Sequence, residues 1–99
     1  MASFLVETYV AQGDSDRFSR SVEALRKAVA SMGGLDDDVR HLRSYLVPND
    51  ELGVHVLEAA NAEAVKRVAK LAGIDVERIV SAIGVDQGRG DVERAGDAT

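Results

Sequence analysis

VRHLRSYLVPNDELGVHVL, residues 39–57, decides the fold. Two runs rich in β-branched, aromatic and leucine side chains flank Pro48, Asn49 and Asp50, residues that favour chain reversal. The stretch therefore predicts a hairpin with strands over 39–47 and 52–59. Side chains alternate between the two faces of a strand. Strict alternation puts Leu42, Leu46, Val54 and Val56 on one face and His41, Arg43, Tyr45, His55 and Leu57 on the other. The second set places imidazole, guanidinium and phenol where a plain surface strand carries lysine and glutamate, which marks that face as a site or an interface.

Outward from the hairpin, residues 3–10 (SFLVETYV) read as a strand that Gln12 and Gly13 end. Asp14, Ser15 and Asp16 offer caps to a helix whose apolar stripe is Phe18, Val22, Leu25, Val29 and Met32; Gly33 and Gly34 stop it, and Asp36 to Asp38 form a loop. Asn61 is the cap of a second helix, Ala62 to Ala72, with Val65, Val68, Leu71 and Ala72 as its buried stripe. Gly73 ends that helix, Ile74 supplies the apolar contact of a glycine C-cap, and residues 79–85 (IVSAIGV) form a last strand. Residues 86–99 (DQGRGDVERAGDAT) are too polar to order themselves and read as a disordered acidic tail; the Arg-Gly-Asp tripeptide within them carries no weight.

The order βαββαβ predicts an α+β, ferredoxin-like domain over residues 1–85: a four-stranded antiparallel sheet in the order 4-1-3-2 with both helices on one face. The uncovered face would leave Leu5, Tyr9, Tyr45 and Leu57 in water, which predicts a homodimer, packed sheet to sheet or as a dimeric α+β barrel. Bulk properties narrow the partners. The 99 residues carry a net charge of -5 with no basic stripe, which argues against nucleic acid. No cysteine is present, so disulfides and thiolate sites are excluded. No run approaches the ~20 apolar residues of a membrane span, and the start lacks the basic residues of a secretion signal, so the expected location is cytoplasmic.

With Val6 toward the helices, Leu5, Glu7 and Tyr9 face the other way, and adjacency of the first and third strands brings Glu7 toward His55. Three chemistries follow. Glu7, His41 and His55 make a ligand set for nickel, copper or zinc. His55 oriented by Glu7 makes a general base. Arg43 and Tyr45, with Tyr9 on the same face, make a clamp for an anionic or aromatic ligand. The plain alternative is a Glu7–Arg43 ion pair in a dimer interface, with the histidines and tyrosines as interface residues. Ser44 and Ser81 show no base partner in the sequence.

The segments FLVETYV (4–10), RSY (43–45), VHVLEA (54–59), EAVKRVAKLAG (63–73) and DVERIVSAI (75–83) resemble the small bacterial proteins named nickel-binding after one characterised member. The resemblance spans about residues 3–85 and implies a ferredoxin-like dimer and a metal site. The chain departs from the family pattern at the site itself. Arg43 stands where members carry histidine before Ser-Tyr, His55 where they carry cysteine, and Glu7 and Thr8 where some carry paired histidines. Arginine puts a cation where a metal would sit. The expected function is binding of a small ligand or a divalent metal, nickel included, on the sheet face opposite the helices. The rival is a cofactor-free oxygenase or isomerase of the dimeric α+β barrel type using Glu7 and His55.

Overall fold

The computed structural model describes residues 2–32 and 39–84. The glycine stop at 33–34, the acidic loop after it, and the tail expected over 86–99 lie outside these residues. The described chain runs β1 (Ala2–Tyr9), α1 (Ser15–Ser31), β2 (Val39–Val47), β3 (Leu52–Ala59), α2 (Ala62–Ala72) and β4 (Arg78–Ala82). It is an α+β fold with one four-stranded antiparallel sheet in the order β2-β3-β1-β4, which is the expected 4-1-3-2 arrangement read from its other edge.

Local chemistry accounts for the elements. Asn61 Oδ1 accepts from Ala64 N–H at 2.9 Å and caps α2. At the other end Gly73 takes a left-handed conformation, φ 74°, that a side chain would strain. Its N–H donates to Lys70 O at 3.1 Å and that of Ile74 to Ala69 O at 3.0 Å, the paired bonds of a Schellman stop. The hairpin turns through a 3₁₀ turn at Pro48–Asp50, and Glu51 takes a left-handed conformation after it. Glu51 then accepts from Val10 N–H through its carbonyl at 2.9 Å and from Gln12 N–H through its carboxylate at 3.2 Å, tying the hairpin to the end of β1.

The core lies between the sheet and the two helices. Phe4 and Val6 of β1, Val39 of β2, and Leu57 and Ala59 of β3 meet Leu25 and Ala28 of α1 and Ala64, Val65 and Val68 of α2. Two expectations change here. Leu71 is 59% exposed, and Ala64 and Ala69 take the inward positions of α2 instead, because its stripe runs Ala64, Val65, Val68, Ala69. Leu57, expected on the uncovered face, is fully buried under the helices. Direct antiparallel partners share a face, and Leu57 sits opposite Phe4, a core residue.

Candidate functional site

The expected constellation is split between the two faces of the sheet. His55 pairs with Val6, which faces the helices, whereas Glu7 pairs with Val54 on the uncovered face, so Glu7 and His55 do not meet. Glu7 instead lies 3.6 Å from Arg78 Nε on β4, and the intrachain partner of Arg43 is Tyr45, whose hydroxyl accepts from its guanidinium at 3.2 Å. That hydrogen bond raises the Arg43 pKa further. Tyr9 is 57% exposed at the end of β1, and the Glu51 carboxylate beside it pushes its phenol up.

A β-bulge on β2 separates His41 from Arg43 and Tyr45 as well. On β2, Arg40 and His41 pair with Glu58 and Leu57, but after the irregularity at Leu42 the pairing resumes with Arg43 opposite Val56 and Ser44 opposite His55. One extra residue reverses the parity of everything after it. Arg43 and Tyr45 therefore share the uncovered face, as expected, whereas His41, Ser44 and His55 share the helix face. Ser44, which shows no partner in the sequence, has two imidazoles: its Oγ lies 2.8 Å from His41 Nε2 and 2.7 Å from His55 Nδ1.

His55 is fully buried, and its Nε2 has no hydrogen-bond partner among the described residues. Phe18, from the first turn of α1, stacks on its ring at a centroid distance of 5.2 Å and an interplanar angle of 15°. The Phe18 ring occupies the space left by Gly53, where a Cβ would stand 2.5 Å from Phe18 Cε1 and 2.9 Å from Cδ1. We therefore expect Gly53→Ala to displace Phe18 and to destabilise the fold by about 2 kcal/mol, as overpacking does, measured by denaturant unfolding. Wild-type stability in that variant would show that the Phe18 position does not depend on Gly53.

Burial pushes the His55 imidazole down to about 4, with His41 adding to the effect. His41 is lowered by its own partial burial and then by Arg26, while its polar contact with the Arg43 backbone opposes the shift. Ser44 has a single O–H, so it donates to one of the two imidazoles and accepts from the other, and the tautomers of His41 and His55 are tied together through it.

This chain opens on a groove of about 620 Å³ between α1 and β2, within the size range of small-molecule sites. His41 and Ser44 line it beside Phe18 and Leu42, and Arg26 and Arg43 stand among its charged residues with Glu23, which accepts from Arg26 at 2.8 Å. A second cavity of about 330 Å³ lies past Phe18, lined by Thr8, Val10, Arg17, Ser21 and Asp75. Phe18 is common to both linings.

The residues fit a resident divalent metal poorly. No group of three His, Asp or Glu side chains suited to a metal occurs among the described residues, Glu7 is on the far face from His55, and the Arg26 guanidinium attends the groove. We expect nickel to bind more weakly than micromolar, roughly 8 kcal/mol. Calorimetry showing tighter binding that His55→Ala leaves unchanged would place a metal site at other residues.

No protein-family model and no curated protein matches the chain. Among solved structures it is similar to that of SCO4226 from Streptomyces coelicolor A3(2), with a TM-score of 0.67 and 22% identity over 82% of this chain and 95% of that one. At that identity the likeness is one of fold. No helix among the described residues is long and apolar enough to cross a membrane. The comparisons thus agree with the α+β architecture and leave its chemistry to be argued from the groove.

Proposed function

We propose that the protein is a homodimeric binder of a small anionic molecule, taken up in the groove between α1 and β2. The observation that carries this reading is the hydrogen-bonded His41–Ser44–His55 chain ending in a groove that holds the Arg26 guanidinium. In a chain of net charge -5 the Arg26 guanidinium beside His41 is the place in the groove for an anion. The Glu23–Arg26 pair is solvent-exposed and of the kind worth less than about 1 kcal/mol, so Arg26 is free to exchange partners. Benzoate is a suitable probe. A saturable, salt-sensitive change in the backbone amide resonances of Arg26, His41 and Arg43, lost in Arg26→Gln, is the expected result. An unresponsive groove would refute it.

The dimeric part of this reading is supported by the uncovered sheet face, where Leu5, Val54, Val56 and Val80 are half-buried and Tyr45 is exposed. A second copy packed there would bury these apolar side chains. The rival reading, a cofactor-free enzyme of the dimeric α+β barrel type, draws on the same histidine chain. Its base would be the partly accessible, neutral His41 oriented by Ser44, in place of a Glu7–His55 pair.

A further inference from the structure

Anion binding gives Ser44 nothing to do, yet Ser44 is the most closely attended hydroxyl among the described residues. Its Oγ stands between two imidazoles, 2.8 Å from His41 Nε2 and 2.7 Å from His55 Nδ1. A serine within hydrogen-bond reach of an imidazole is the nucleophile–base pair that acyl transfer uses. Three observations separate this pair from an ordinary surface contact. The bulge at Leu42 creates it: residues three apart on a regular strand point to opposite faces, and the extra residue turns His41 and Ser44 to the same one. His55 then holds the hydroxyl from behind. It is fully buried and directly opposite Ser44 on β3, with Phe18 stacked on its ring at 5.2 Å and the His41 ring packed edgewise at 6.3 Å. Lastly, His41 and Ser44 line the groove of about 620 Å³, so the half-buried serine stands at its wall while His55 stays beneath. Both imidazoles are held below their ordinary range and are neutral, able to take a proton, at neutral pH.

We propose that Ser44 is a nucleophile and that the groove between α1 and β2 is a hydrolytic site for small carboxylic esters. The Oγ bonds to the acyl carbon, and the bond from that carbon to the ester's alcohol oxygen breaks. The hydroxyl proton passes to the imidazole that accepts from Ser44, and from there to the departing oxygen. The other imidazole, which donates to Oγ, fixes its direction. Water repeats the sequence on the acyl-serine: its oxygen bonds to the acyl carbon, its proton returns through the imidazole to Oγ, and the carboxylic acid leaves. Ester and water become acid and alcohol, with no further reactant. Arg26 supplies the positive charge of the groove, which favours the carbonyl oxygen that turns negative as the bond forms. The proposal shares the groove with the anion reading and does not rest on it, because a neutral ester enters without a cation to bind it.

Two measurements on the full chain test this. In the first, 4-nitrophenyl acetate is the probe, with nitrophenol release followed by absorbance and the attached acetyl group located by peptide mass spectrometry. Wild type is expected to carry the acetyl group on Ser44, and Ser44→Ala to release nitrophenol about a hundredfold more slowly, the low end of what a positioned base contributes. The second measures activation without relying on turnover. The chain has no cysteine, so Ser44→Cys introduces a single thiol. At neutral pH that thiol is expected to react with iodoacetamide about fivefold faster than the one introduced by Ser19→Cys, since a neighbouring imidazole raises the thiolate fraction. Ser19 lines the same groove from α1 and bonds no imidazole among the described residues. A serine that only props up His55 would give neither result. Absence of acetyl from Ser44, nitrophenol release that survives Ser44→Ala, or a thiol at position 44 no faster than the control each overturns the proposal. If these fail while benzoate still moves the groove, the anion reading stands alone; acetylated Ser44 in a groove that ignores benzoate removes the anion reading and leaves this one.

Discussion

Leu57→Asp is expected to unfold the protein at neutral pH, while Val56→Asp, one residue away, leaves it folded and converts the proposed dimer to a monomer. Leu57 is fully buried among Phe4, Leu25, Ala28, Val65 and the rest of the core. Removing such a leucine costs about 2–5 kcal/mol, and an unpaired carboxylate in its place adds several more, against a total of about 5–15 kcal/mol for a domain. Val56 lies on the other side of the sheet, opposite Leu5 and Arg43, where a carboxylate keeps contact with water in a monomer and is intolerable between two packed sheets. Circular dichroism melts and light scattering separate the outcomes. A folded Leu57→Asp protein would overturn the face assignment, and a Val56→Asp protein of unchanged size would overturn dimerisation through this face.

Acidification is expected to remove about 3 kcal/mol of stability through His55 alone, the equivalent of moving its pKa from the ordinary 6.5 to about 4. The folded state favours neutral His55, so its contribution is complete above about 6.5, declines as pH falls, and is lost below about 4. Partial burial and Arg26 shift His41 in the same direction, so the effect of His55 is read as the difference between wild type and His55→Gln. Denaturant unfolding at several pH values should show the wild-type curve falling more steeply below neutrality than that of the variant. Parallel curves would mean that His55 takes up its proton without penalty and that the fold is open there.

The elements themselves were legible in the residues. The strands over 39–47 and 52–59 and the helix over 62–72 fall where turn chemistry, the Asn61 cap and the Gly73 stop place them, and the order βαββαβ carries the sheet with it. The faces were not legible, for two physical reasons. Both faces of β3 are apolar, Val54 and Val56 against Leu57 and Ala59, so hydrophobicity cannot choose between them, and a buried histidine tips the choice the wrong way. The bulge at Leu42 then breaks the alternation on which any pairing of His41 with Arg43 depends. A signal for the true face was present: Gly53 and Ala59 share parity with His55 and Leu57, and small residues alternating with large ones suit a strand beneath helices. Ser44 could be found only with the bulge, since residues three apart on a regular strand point to opposite faces.

That bulge also governs how the sheet meets other chains. An exposed edge strand offers unpaired backbone groups to any extended segment, and proteins blunt such edges with irregularities, charge or brevity. Here β2, one edge, is interrupted at Leu42 and bears Arg40 and Arg43, and β4, the other, is five residues long and begins with Arg78. Neither rim is a good template for strand addition, so lateral growth into fibrils is disfavoured. The self-association proposed above uses the broad face instead, where pairing of two copies would close on itself.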